Sequence, residues 1–142
     1  AMPDADYIRD LFAARAAIEP AAVRWGAFPD APSLVTLTSS AFDYAARGEH
    51  QEVSAINQRF HRTLVAALGS PTLNEQMDNL LARMRLTFLL AIPRYPQLHA
   101  DHIQGNITLA TLIADGKRLE AATLSHDSLM NTCEKILAVL DD

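Results

Sequence analysis

Apolar residues recur at steps of three and four along almost the whole chain, and no segment alternates apolar and polar residues between turn sequences. The first stripe runs from Tyr7 to about Arg24 and carries Leu11, Phe12 and Ile18 in an alanine-rich background that favours helix. Pro20 lies inside it. Because its ring clashes with the preceding turn and brings no N–H, the pattern predicts a break or kink near Glu19, with Pro20 opening a second short helix. Phe28 to Ala31 reads as a turn, and Asp30 is placed to cap a helix carrying Leu34, Leu37, Phe42 and Tyr44.

Gly48 separates that helix from one running through Val53, Ile56, Phe60, Leu64 and Leu68. After Gly69, Ser70-Pro71 supplies a cap and a first-turn proline. The helix that follows holds Leu73, Met77, Leu80, Leu81, Met84, Leu86 and Leu89, apolar on several sides as a central helix is. Pro93 and Pro96 end it, and another helix carries His99, Ile103, Ile107, Ala110 and Ala114 up to a turn at Asp115-Gly116. The last helix has Leu119, Ala122, Met130, Cys133 and Leu137 as its inner face. The predicted fold class is all-α: an antiparallel bundle of six or seven helices, forming a single domain over residues 1–142 without internal repeats.

Composition supports a globular core, with 49% hydrophobic residues, five glycines and no low-complexity tract. The formal charge of -5, with no run of lysine or arginine, argues against direct nucleic-acid binding. A lone cysteine, Cys133, excludes an internal disulfide or a multi-thiolate metal site and fits a reducing cytoplasm. No apolar run approaches the roughly 18 residues of a membrane span, and no cationic leader precedes an apolar segment. Ala1-Met2 fits either a cloning remnant before a natural start or an excision point.

Polar side chains inside the apolar stripes carry the candidate chemistry. Asn57 and His61, four residues apart, stack on one side of their helix and can face one cavity. His126 projects onto the predicted inner face of the last helix, as a buried histidine bonded to its neighbours or as a pocket group. In the helix before it, His99 and Asn106 project near the apolar stripe, Gln104 at its edge and His102 on the opposite edge. Arg15 precedes Glu19 by four residues, a spacing for an ion pair or for joint contact with a pocket. Arg83 and Arg85 interrupt a very apolar helix, so at least one must reach water, an acidic partner or an anion. Ser125 and His126 are adjacent and point about 100° apart, and glycine-rich phosphate loops and acid/base carboxylate pairs are absent, so catalysis gains no support.

Arg15-Ala-Ala-Ile18-Glu19-Pro20, then Asn57-Gln-Arg-Phe60-His61-Arg-Thr-Leu64 followed by Ala66-Ala67-Leu68-Gly69-Ser70, then Ala114-Asp115-Gly116 and Ala122 leading to His126, resemble the C-terminal FCD domain of GntR-family transcription regulators of the FadR subfamily. The likeness covers almost the entire chain. It implies a helical effector-binding and dimerising domain that follows an N-terminal winged helix-turn-helix absent from this sequence. It also implies a small carboxylate-bearing effector and a divalent metal (Zn, Ni or Mn) held by one aspartate and three histidines. Carried over, the aspartate falls on Asn57, the first histidine on His61, the middle one on Gln104 and the last on His126. His102 lies two residues from the middle position, on another face.

An amide and a glutamine thus stand at two of four metal positions, which predicts a degenerate site at Asn57, His61 and His126 with metal binding weakened or lost. The expected ligand-binding residues are Asn57, His61, Gln104, His126, Arg15 and Arg85. The functional reading is a cytoplasmic, non-enzymatic, homodimeric effector sensor that meets DNA only through the absent domain and shifts between dimer arrangements on binding. A small helical metal-dependent hydrolase and a ligand-free structural dimerisation bundle are the alternatives.

Overall fold

Every apolar stripe becomes a helix. The computed structural model describes residues 3–141, so the reading of Ala1-Met2 lies outside it. The elements are α1 (Ala5–Trp25), α2 (Pro32–Ser39), α3 (Ala41–Ala46), α4 (His50–Ala66), α5 (Pro71–Ala91), α6 (Leu98–Ala114) and α7 (Arg118–Leu140), with one 3-10 turn at Ile92–Arg94 after α5. No strand occurs among the described residues, and no helix there is long and apolar enough to cross a membrane.

Several boundaries follow from local chemistry. The Asp4 carboxylate accepts the Tyr7 N–H at 2.8 Å and caps α1. Ser70 accepts the Leu73 N–H and Pro71 occupies the first turn of α5. Gly48 and Gly116 take positive φ, 71° and 76°, where the chain leaves α3 and α6.

Three expectations about the helices are corrected. Helix α1 runs unbroken through Pro20. A proline inside a helix costs about 3 kcal/mol, but Ile8, Leu11 and Phe12 before it and Ala22 and Val23 after it are fully buried. Each larger side chain among these contributes roughly 1.5–3 kcal/mol on burial, so packing on both sides carries the helix across the proline. The helix expected from Leu34 to Tyr44 is divided at Ser40 into α2 and α3. There Thr38 and Ser40 turn their hydroxyls onto the Leu34, Val35 and Leu37 carbonyls, competing with the helical ladder. Asp30 is not the side-chain cap of α2: Ala31 holds that position with Pro32 following, while the Asp30 backbone carbonyl accepts from Ser33.

Cross-helix contacts fix the directions. Arg9 meets Glu134 near the start of α1 while Arg118 meets the Val23 carbonyl near its end, so α1 and α7 are antiparallel. Gln58 with Arg85 and Arg62 with Asp78 make α4 and α5 antiparallel. Glu19 with His61, and Ala27 with Ala67, run α4 parallel to α1, and His50 with His99, and Asn57 with Asn106, run α6 parallel to α4. Three helices therefore point one way and the long α5 and α7 return.

One core joins Ile8, Leu11, Phe12, Leu80, Met84, Leu129 and Ile136, and another joins Val23, Leu34, Phe60, Leu64, Leu109 and Ile113. The inner face of α7 is Ala121, Ser125, Leu129, Cys133 and Ile136. The expected face is rotated outward, leaving Leu119 70% exposed and Met130 at the surface. Both stripes have helical spacing and share Cys133; the chosen one sets Leu129 and Ile136 against α1.

Candidate functional site

Between the two cores, where α1, α4 and α6 lie side by side, a chain of polar side chains crosses the bundle. Arg15 and Glu19, both buried, form an ion pair one turn apart on α1, Nε to Oε2 at 2.5 Å. The other carboxylate oxygen accepts from His61 Nδ1 at 2.6 Å, and His61 Nε2 lies 3.1 Å from Asn106 Oδ1. Asn106 Nδ2 donates to Asn57 Oδ1 at 2.7 Å, closing the series on α4. Burial alone would raise the Glu19 carboxyl; the Arg15 guanidinium and then His61 outweigh it and hold it at about 2. Glu19 is therefore an anion that anchors two nitrogen bases from different helices.

A cavity lies on each side of this chain. The smaller, about 170 Å³, is lined by Arg15, Glu19, His61, Asn106 and Ser125, with Tyr95, Asp101 and Lys135 also on its wall. Tyr95 Oη donates to Asp101, and burial followed by that bond raises the phenol to about 12. The larger, about 470 Å³, lies between α3, α4, α5 and α6; Val53, Ile56, Phe88, Leu98 and Ile103 give it an apolar lining, and Asn57 and Asn106 form its polar end. His102 and Asn106 belong to both walls. Burial, then His61, Arg15 and His99, hold the His102 imidazole down at about 3, so it is neutral near pH 7.

Of the residues singled out from sequence, Arg15, Asn57 and His61 come together here. Arg85 reaches the rim of the larger cavity, donating to Gln58 at 2.8 Å from an exposed position. Arg83 turns the other way, over the Tyr7 ring. Gln104 and His126, expected in the same cavity, are outside both. Gln104 is exposed and lies 3.5 Å from Thr108 on its own helix. The His126 side chain is 54% exposed and pairs with Asp127, because the rotation of α7 that buries Leu129 brings Ser125 inward in its place. The sequence reading left Glu19, His102, Asn106 and Ser125 out of the site. Asn106 was legible as an amide between Ile103 and Leu109 in an apolar stripe, whereas His102 depends on the angle at which α6 meets α4 and α5.

The donors do not fit the metal that the resemblance implies. Both His61 nitrogens already face protein groups, Asn57 offers an amide, and His126 points away. Among the described residues no group of three or more His, Cys, Asp or Glu side chains could hold a metal ion. Ser125 lies on the wall of the smaller cavity but bonds to neither His61 nor Glu19, so the arrangement is a polar relay beside a cavity rather than a paired nucleophile and base.

A family model described as the FCD domain matches residues 10–130. No curated protein and no solved structure matches the chain. With most of its length in that match, the chain belongs to the FCD-domain family, the non-catalytic effector-binding module typical of GntR/FadR-family regulators.

Proposed function

We propose that this domain senses a small carboxylate-bearing metabolite in the smaller cavity and reports its presence, through a homodimer, to a winged helix-turn-helix module lying outside these residues. The carrying observation is Arg15. Its guanidinium is buried and commits Nε to Glu19, and among the described residues Nη1 and Nη2 have no acceptor, although Arg15 is part of the cavity wall. A planar carboxylate supplies two acceptors at that spacing.

The relay's own bonds occupy both His61 nitrogens, Nδ1 on Glu19 Oε1 and Nε2 beside Asn106 Oδ1, so the carboxylate's partner is the free edge of Arg15. At roughly 30 Å³ per water-sized group, the cavity of about 170 Å³ holds about five or six such groups, so a short acid of that size fills it. His61, on this wall, acts as a ligand-positioning group, held from behind by Asn106 and Asn57, and Arg85, on the other cavity, takes no part.

The experiment is calorimetric titration of the domain with short mono- and dicarboxylic acids and their amides. Binding of an acid but not its amide, lost in Arg15→Met at unchanged helix content, supports the reading. Equal binding of acid and amide would sink it.

A further inference from the structure

The larger cavity has features that a carboxylate site does not use. At about 470 Å³ it falls within the range of small-molecule sites. Its interior carries no fixed charge: Arg85 is exposed at the rim, and His99, stacked on His50 at 5.4 Å between ring centroids, is pushed by burial and then by His50 toward its neutral form. On the wall shared with the smaller cavity, His102 has a ring nitrogen, Nε2, that is sealed from water and has no hydrogen-bond partner among the described residues. Its ring stands edge-on to Phe88 at 5.2 Å. The ring thus has bonding capacity that the protein's own groups leave unused, which a bound group can take up.

We propose that the larger cavity is a second ligand site, for a neutral, mainly apolar small molecule with one hydroxyl directed at His102. A hydroxyl both donates and accepts, so it serves either tautomer of the ring. A charged ligand would lose its hydration against Phe88, Leu98 and Ile103, while Arg85, the wall's charged group, lies exposed at the rim. The second site stands independently of the carboxylate reading, and the two share Leu98, His102 and Asn106 as a common wall.

The test uses 2-naphthol as probe and 2-naphthoate as its charged counterpart, followed by fluorescence anisotropy on the whole domain. Expected are saturable binding of 2-naphthol, binding of 2-naphthoate weaker by about tenfold or more, and loss of 2-naphthol binding in Ile56→Trp, which fills the cavity. Leu89→Trp, at an exposed position on the same wall, gives the same loss if Ile56→Trp does not fold. Gly105→Leu, which intrudes on the smaller cavity alone, leaves 2-naphthol binding unchanged. Absence of saturable binding, equal affinity for the two probes, indifference to both filling variants, or displacement by Gly105→Leu would each overturn the second site.

Discussion

One oxygen of Glu19 takes the Arg15 Nε–H at 2.5 Å while the other takes the His61 Nδ1–H at 2.6 Å, so a single carboxylate couples α1 to α4 inside the bundle. Glu19→Gln keeps the shape and removes the charge, leaving the buried Arg15 unpaired. Urea unfolding is expected to register a loss of about 3–5 kcal/mol. The double variant Arg15→Met/Glu19→Gln recovers most of it, because no buried charge then lacks a partner. A double variant as unstable as Glu19→Gln would show that the ion pair is not the source.

Acid should act in two stages. From its ordinary 6.5 downward, His102 in the unfolded chain takes up a proton that the native chain refuses until about 3, so stability falls as the pH drops through that window. Glu19 joins below 4.5: unfolded chains protonate it there, the native chain only near 2, and its contribution disappears in that lower interval. Urea midpoints measured between pH 7.5 and 4.5 should decline in the wild type and flatten in His102→Phe. An unchanged slope in that variant would remove His102 from the account.

Glycines at two places should respond oppositely to alanine. At Gly26 a Cβ would sit 2.5 Å from the Ala22 carbonyl and 2.7 Å from Ala67 Cβ, so Gly26→Ala overpacks the junction of α1 and α4 and costs about 1–3 kcal/mol. At Gly105, within α6, a Cβ meets nothing within 4 Å, and Gly105→Ala gains about 0.5–1 kcal/mol from helix propensity. Thermal unfolding of the two variants reads both signs.

Helix α7 offers a direct test of which face is inside. Leu129→Ala should cost about 2–5 kcal/mol and Leu119→Ala less than about 0.5 kcal/mol, since the first is buried against α1 and the second is 70% exposed. The opposite ranking would restore the face expected from sequence.

That face marks where sequence stops being enough. Ser70-Pro71, Gly48 and Gly116 act through their own backbone preferences, so the ends they impose were readable along the chain. Pro20 was not, because the burial that holds α1 together across it comes from α5 and α7 on one side of the proline and from α4 and α7 on the other. On α7 two stripes one residue apart are both amphipathic, and only the neighbour decides between them; the choice exchanged His126 for Ser125 at the cavity. Arg15 and Glu19 were legible as a pair and Asn57 with His61 as another. The contact that fuses the pairs, 42 residues apart, was not.

At one end of the bundle the Arg118 guanidinium donates to the Val23 and Gly26 carbonyls, while the Ala27 N–H reaches the Ala67 carbonyl. The C-termini of α1 and α4 and the start of α7 are thereby pinned at a common fulcrum. Strain introduced deeper in the bundle therefore meets polar backbone ties at this end and, at the other, the apolar packing of Ile8, Leu11, Leu129 and Ile136 beneath the solvent-exposed Arg9–Glu134 pair.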